Sequence, residues 1–142
     1  MSATAGQAQT ERGLAERLGF KPGQVVQEIG WDEDVSEDLR TSIEAVTGTE
    51  MVDEDYEDVV EVVVLWWRDE DGDLTDGLVD ALSNVTGGGH IWLLTPKTGR
   101  EGHIEPSDIA EASQTAGLTA TKSVSAADDW SGTRLVAPKG RM

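Results

Sequence analysis

Two stretches of this chain are apolar almost without interruption, and both are short. Residues 59–67 are β-branched and aromatic with Glu61 as the one break, and residues 90–95 read His-Ile-Trp-Leu-Leu-Thr before Pro96 stops them. Runs of this kind are what strands covered on both faces require. Neither approaches the ~20 residues of a membrane-spanning helix. Around them the apolar positions switch to helical spacing. Leu14 and Leu18 stand four apart, with Thr10 placed to cap and Gly19 to stop the turn. Val35, Leu39, Ile43 and Val46 predict a second helix, with Asp34 and Glu37 at capping-box spacing and Gly48 closing it. Leu74, Leu78, Ala81, Leu82 and Val85 predict a third, capped by Asp73 and broken by Gly87-Gly88-Gly89.

Shorter signals complete the alternation. A Pro22-Gly23 turn precedes a strand over 25–29, and Met51-Val52 predicts a very short edge strand. Pro106 suits the first position of a helix that runs to about Ala116 and stops at Gly117. Residues 118–125 and 133–137, joined by a turn over 128–132, predict an antiparallel hairpin. Strand and helix alternating, then a hairpin, predict an α/β fold. The expectation is one small Rossmann-like three-layer domain over 10–138. Its sheet is mostly parallel, with helices on both faces and a C-terminal antiparallel hairpin. Residues 1–9 and 139–142 are expected to be tails, the first of them disordered.

Charge changes the picture because it is segregated. Residues 28–80 hold 20 acids against Arg40 and Arg68 alone, a local −18 within a net charge of −17. Such a field attracts cationic partners and repels phosphates, so direct nucleic-acid binding is not expected. The chain has no cysteine, which removes disulfides and thiol chemistry and suits a cytoplasmic setting. Its N-terminus has neither the basic start nor the apolar core of a signal peptide, and no membrane association is expected. Oligomeric state is not legible.

Candidate chemistry gathers where the parallel strands end. α/β folds place ligands at the carboxyl ends of their strands, which singles out Glu28 and Gly30 as cofactor-facing positions. Gly30 leads into Trp31, Asp32, Glu33 and Asp34 rather than into a glycine-rich turn. Trp66 and Trp67, being adjacent in a strand, must point to opposite faces, and Trp31 and Trp130 are expected in loops beside acidic residues, where packing is the first reading and an exposed interface anchor the second. Trp31, Asp32, Glu33, Asp34, Trp67 (or Trp66), the loop from Lys97 to His103, and Trp130 form the expected partner-binding surface. The acidic loop 69–80 has calcium-loop alternation, but Leu74 stands where the turn glycine belongs, and a capped helix is the expectation there. His90 and His103 lack a second ligand at zinc spacing, and no serine lies in a nucleophile elbow. No catalytic residue, metal or cofactor is assigned.

Four blocks carry a resemblance: Lys21-Pro22-Gly23-Gln24-Val25-Val26, Val62 through Trp67, His90 through Lys97, and Asp129 through Val136. Together they resemble the actinobacterial family catalogued as domain of unknown function 3052, which brings no established activity. The order of elements is also similar to class I methyltransferases, which use S-adenosylmethionine. That likeness implies a glycine-rich turn after the first strand and an acidic residue ending a full second strand, and this chain has neither. The expected function is a non-catalytic adaptor or regulator that binds a basic protein partner. The alternative is a divergent S-adenosylmethionine-binding enzyme or small-molecule-binding protein, with a ligand-sized cavity between residues 28–31 and 95–103.

Overall fold

The computed structural model describes residues 13–137, so both expected tails and the Thr10 cap lie outside the described residues. Residues 13–17 are helical. After them come β1 (Val26–Ile29), α1 (Glu37–Thr47), β2 (Val60–Trp66), α2 (Leu74–Ala81), β3 (Val85–Pro96), α3 (Pro106–Thr115), β4 (Thr119–Ser125) and β5 (Trp130–Val136). One sheet orders them β1-β2-β3-β5-β4. β1–β2 and β2–β3 are parallel, whereas β5 runs antiparallel to both β3 and β4. Only β5 is therefore reversed. The expected α/β fold, mostly parallel with a terminal hairpin, is the one observed.

Alternation along the central strands builds the two faces. Val62, Val64, Trp66, Trp92 and Leu94 point to the side covered by Leu39, Ile43 and Val46 of α1 and by Ala15 and Leu18. Val63, Leu65, Ile91 and Leu93 point to the other, under Leu78 and Ala81 of α2 and Ile109 and Ala112 of α3. Each fully buried aliphatic side chain in these layers stabilises the fold by roughly 1.5–3 kcal/mol. Trp66 and Trp67 do take opposite faces. Trp66 is fully buried on the α1 side, and Trp67 lies over Gly77 of α2, where an added Cβ would come within 2.7 Å of its ring. Among the described residues, no helix is long and apolar enough to cross a membrane.

Four local expectations are corrected. The cap of α1 is Ser36, whose hydroxyl accepts from Leu39 N–H at 3.1 Å, because the Asp34 carboxylate is engaged elsewhere. Val85 and the three glycines after it belong to β3, not to a helix and its break. Gly89 is needed there because the register shifts, Val60 pairing with Val85 but Val62 with His90, so the extra residues lie in β3 and a Cβ at 89 would sit 2.3 Å from the Glu61 carbonyl. The hairpin turn lies earlier, with Ala126 and Ala127 N–H both donating to the Trp130 carbonyl, so Trp130 is a strand residue. Met51-Val52 contributes a single parallel bridge, Gln27 to Val52. Asp73 caps α2 as expected, accepting from Thr75 and Asp76 N–H, so a helix starts inside the calcium-like stretch.

Candidate functional site

β1 ends with Glu28 and Ile29, and Gly30 leaves it with φ +85°. A Cβ on Gly30 would lie 2.3 Å from the Trp66 carbonyl oxygen. The missing side chain therefore admits the end of β2, not a ligand. Both main-chain groups of Gly30 are already used: its N–H donates to Glu54 Oε2 at 2.8 Å and its carbonyl accepts from Arg68 Nη1 at 2.8 Å. Glu28 is 8% exposed and equally committed. Its carboxylate accepts from Arg40 Nε at 2.6 Å, Arg40 Nη2 at 2.8 Å and the Trp66 indole N–H at 2.9 Å. Arg40 also reaches Glu37 at 2.9 Å. The bond to Glu28 is the main reason the Arg40 guanidinium is held above its ordinary value.

Arg68, just beyond β2, occupies the middle of the site. It is 6% exposed. Its Nε donates to Asp34 Oδ2 at 3.0 Å, Nη2 pairs with Asp34 Oδ1, and Nη1 bonds the carbonyls of Gly30 and Trp66 and the carboxylate of Asp71. Burial works against the charge, but Asp34 and Asp71 outweigh it and the guanidinium is held above its ordinary value. The Arg68 side-chain bond in turn holds Asp34 below the usual carboxylate range. The guanidinium carbon sits 5.2 Å from the Trp130 ring centroid, within cation–π range. Trp130 meets Trp66 edge to face at 4.9 Å, and its indole N–H donates to the Asp34 carbonyl at 3.1 Å. A cation, two indoles and three strand ends form one bonded block.

The loop after β3 closes over this block. Asp69 N–H donates to the Gly102 carbonyl at 2.9 Å, and Lys97 N–H to the Asp129 carbonyl at 3.0 Å. Arg100 pairs with Asp129 at 3.2 Å. His103 turns inward, its Nδ1–H donating to the Pro96 carbonyl at 2.9 Å, with Nε2 3.5 Å from Glu105. Two open depressions lie at the rim. One of about 400 Å³ runs between residues 34–38 and the β4–β5 turn, and one of about 260 Å³ lies between Asp34, Arg100 and Trp130.

The expected surface is thus partly assembled. Asp34, Trp130 and the 97–103 loop converge with the turn after β1, and Trp31 is 51% exposed beside the exposed Asp32 and Glu33. Trp67 is not part of it, since its ring packs on α2. Trp130 is 3% exposed, so it is a packing element of the site and not a protruding anchor. Sequence reasoning passed over Arg40, Arg68 and Glu54. A signal for the first two was present: they are the only bases among 20 acids in residues 28–80, and a lone base in such company is a natural ion-pair centre.

S-adenosylmethionine does not fit this end of the sheet. A cofactor there needs open space over the first-strand turn and free backbone N–H groups. Here Arg68 fills the space between β1 and Trp130, and the Gly30 N–H is given to Glu54.

Comparison with known proteins agrees with the fold. Residues 15–139 match the family described as "Protein of unknown function (DUF3052)". The uncharacterised proteins Mb2263c of Mycobacterium bovis and Rv2239c of Mycobacterium tuberculosis are each 52% identical over 127 residues, covering 89% of this chain and 80% of theirs. Among solved structures, the mitomycin 7-O-methyltransferase MmcR superposes with TM-score 0.62 at 12% identity, over 92% of this chain. The chain spans only 54% of that protein's length. The magnesium protoporphyrin IX methyltransferase ChlM of Synechocystis gives TM-score 0.57 at 12% identity, covering 95% of this chain and 84% of ChlM. These likenesses establish a methyltransferase-like, Rossmann-like fold and nothing about activity. With the family pattern matched across nearly the whole chain, and with relatives 52% identical over the 127 aligned residues, the chain belongs to this family of unknown function, DUF3052.

Proposed function

We propose that this chain is a non-catalytic adaptor or regulator, a methyltransferase-like scaffold whose former ligand end is closed and whose acidic edge binds a basic protein. The observation that carries the reading is the state of the two cations in residues 28–80. Arg40 is held by Glu28 and Glu37, and Arg68 by Asp34 and Asp71. The remaining acids of that window, all exposed except Glu44 and Glu61, have no basic side chain of their own segment left to neutralise them. Trp31 stands among them, the most exposed tryptophan of the described residues. A large ring beside uncompensated carboxylates is the make-up of an interface anchor with an electrostatic rim. The same field disfavours nucleic acid, and the reading puts the protein in the cytoplasm.

The test is affinity capture with cross-linking from a native extract, repeated with Trp31→Ala combined with Asp32→Asn and Glu33→Gln. None of the three side chains lies in the Arg68 block. A basic partner retained at low salt should be lost at high salt and weakened by about tenfold in the triple variant. An unchanged set of partners would rule this surface out. The fold-level likeness keeps one rival, a divergent S-adenosylmethionine-binding enzyme. Calorimetric titration with S-adenosylmethionine and its demethylated product decides it, because saturable binding is incompatible with a closed ligand end.

A further inference from the structure

On the other side of the sheet, α3 and the β4–β5 hairpin enclose a groove of about 450 Å³, within the usual range for small-molecule sites. Strand register dictates its floor. Thr95 on β3 pairs with Ser131 on β5, which pairs with Ser125 on β4; one step along, Thr133 pairs with Ser123. Directly paired residues share a face, and so do residues two apart in one strand. All five hydroxyls therefore lie on the α3 face and line the groove. Its wall is apolar: Ile104, Pro106, Ile109 and Ala110. No charged side chain lines it, in a protein of net charge −17.

Two of the hydroxyls are in an unusual state. Thr95 is 2% exposed and Thr133 is 6% exposed, yet neither hydroxyl takes part in a hydrogen bond among the described residues. The one fully enclosed side-chain atom without a partner is Trp92 Nε1 among the described residues. The two threonine hydroxyls are not enclosed in that way, and the groove that both residues line is their opening.

We propose that this groove binds a small neutral polyol of sugar size. Each hydroxyl both donates and accepts, which suits a ligand whose own groups do the same. With no cation present, an anion gains nothing here, and with no carboxylate neither does an ammonium group. The Ile104–Pro106–Ile109 wall takes the C–H face of a ring. This site is independent of the acidic edge and of the Arg68 block.

The experiment is a titration of the ¹⁵N-labelled full chain with D-glucose, D-mannose, myo-inositol and trehalose, followed by amide shifts. Saturable shifts at residues 95, 104–110 and 123–133 in the millimolar range are expected with at least one of the four. Glucose 6-phosphate should bind more weakly than glucose. Thr95→Val and Thr133→Val keep side-chain shape and should each weaken binding by about tenfold, the loss of one good hydrogen bond. Ala110→Trp, at an exposed position on α3, should abolish binding by filling the groove. No saturable shift with any of the four overturns the proposal. So does binding indifferent to all three variants, or shifts produced only by adenosine or by an extended peptide.

Discussion

The end of the sheet between β1 and β2 and the groove under α3 are opposites in their treatment of polar groups. At the first, the polar groups of the strand ends have internal partners: Gly30 with Glu54 and Arg68, Glu28 with Arg40 and Trp66, Asp34 with Arg68 and Trp130. At the second, buried hydroxyls face open space and carry no charge. A methyltransferase-like fold leads one to look for chemistry at the first region. Physical accounting points to the second as the place with binding capacity still unused. Fold likeness locates where relatives bind, whereas hydrogen-bond satisfaction tells whether this chain retains the means.

The sharpest way to break the comparison is at Gly30. If the first region is a closed structural block, Gly30→Ala should destabilise the protein by about 3 kcal/mol or more. It puts a Cβ 2.3 Å from the Trp66 carbonyl and an alanine at φ +85°. A denaturant midpoint near wild type would mean that the strand ends can part and that the turn is adaptable enough for a ligand. Arg68→Met should cost somewhat less, about 2–3 kcal/mol, since it strands the Gly30 and Trp66 carbonyls while the half-exposed Asp34 carboxylate rehydrates. If Arg68→Met leaves stability intact and gains S-adenosylmethionine binding, the arginine is a removable occupant and the region is a masked site.

These expectations expose what the sequence could and could not convey. The buried central strands were legible because Val62-Val63-Val64-Leu65 and Ile91-Trp92-Leu93-Leu94 leave no other way to hide so much apolar surface. Pro106 and Asp73 announced their helices through local chemistry that tertiary structure had no reason to override. Ser36 displaced Asp34 as a cap because a distant cation, Arg68, competed for the carboxylate, and no local pattern reports such a competitor. Gly87-Gly88-Gly89 suggests a break by propensity. It is strand, carrying the extra residues of the β2–β3 register shift, and the Glu61 carbonyl leaves no room for a side chain at 89. Trp130 misled for a related reason: its neighbours Asp128 and Asp129 are exposed turn residues, but the ring itself is held by Arg68, Trp66 and Asp34 from two other segments. The block at the strand ends is made of contacts between residues 34, 68 and 130, and composition is blind to those. The groove's hydroxyl rows are likewise visible only once the β3–β5–β4 register is known.

Acid should act on the two regions unequally, because only the first contains titratable groups. Asp34 is held below its ordinary value, chiefly by the Arg68 bond. A lowered carboxylate stabilises the fold fully above its unfolded value, near pH 3.9, and that contribution is lost as pH falls through the lower folded value. A second group titrates at a higher pH, away from both regions. His90, in the middle of β3 and six residues before Pro96, is pushed down from 6.5 to about 4, first by burial and then by Arg134. Its neutral form is favoured in the fold, so stability should decline as pH falls below about 6.5 and level off near 4 for this group. Stability followed by denaturant midpoint against pH should therefore fall in two stages. His90→Phe is expected to remove the upper stage alone and Asp34→Asn the lower alone. A lower stage surviving in Asp34→Asn would mean that the Asp34–Arg68 pair does not set the acid sensitivity of the block.

The smallest expected effect carries the most information about the groove, because its sign differs from everything above. Removing a polar atom from the Arg68 block leaves a partner stranded and must destabilise. Thr95→Val and Thr133→Val remove hydroxyls that have no internal partner to strand, and they replace a groove-facing polar atom by a methyl group of similar size. Each should leave the melting temperature unchanged or raise it slightly, by no more than about 1 kcal/mol of added stability. Thermal unfolding at neutral pH, with the two variants beside wild type, measures this directly. A clear loss of stability in both would show that each hydroxyl is held within the fold after all. The groove would then be as satisfied as the cleft, and the contrast between them would vanish. Stability kept or gained, alongside weakened polyol binding in the same variants, would show that the sequence maintains these hydroxyls against a folding cost for the sake of what enters the groove.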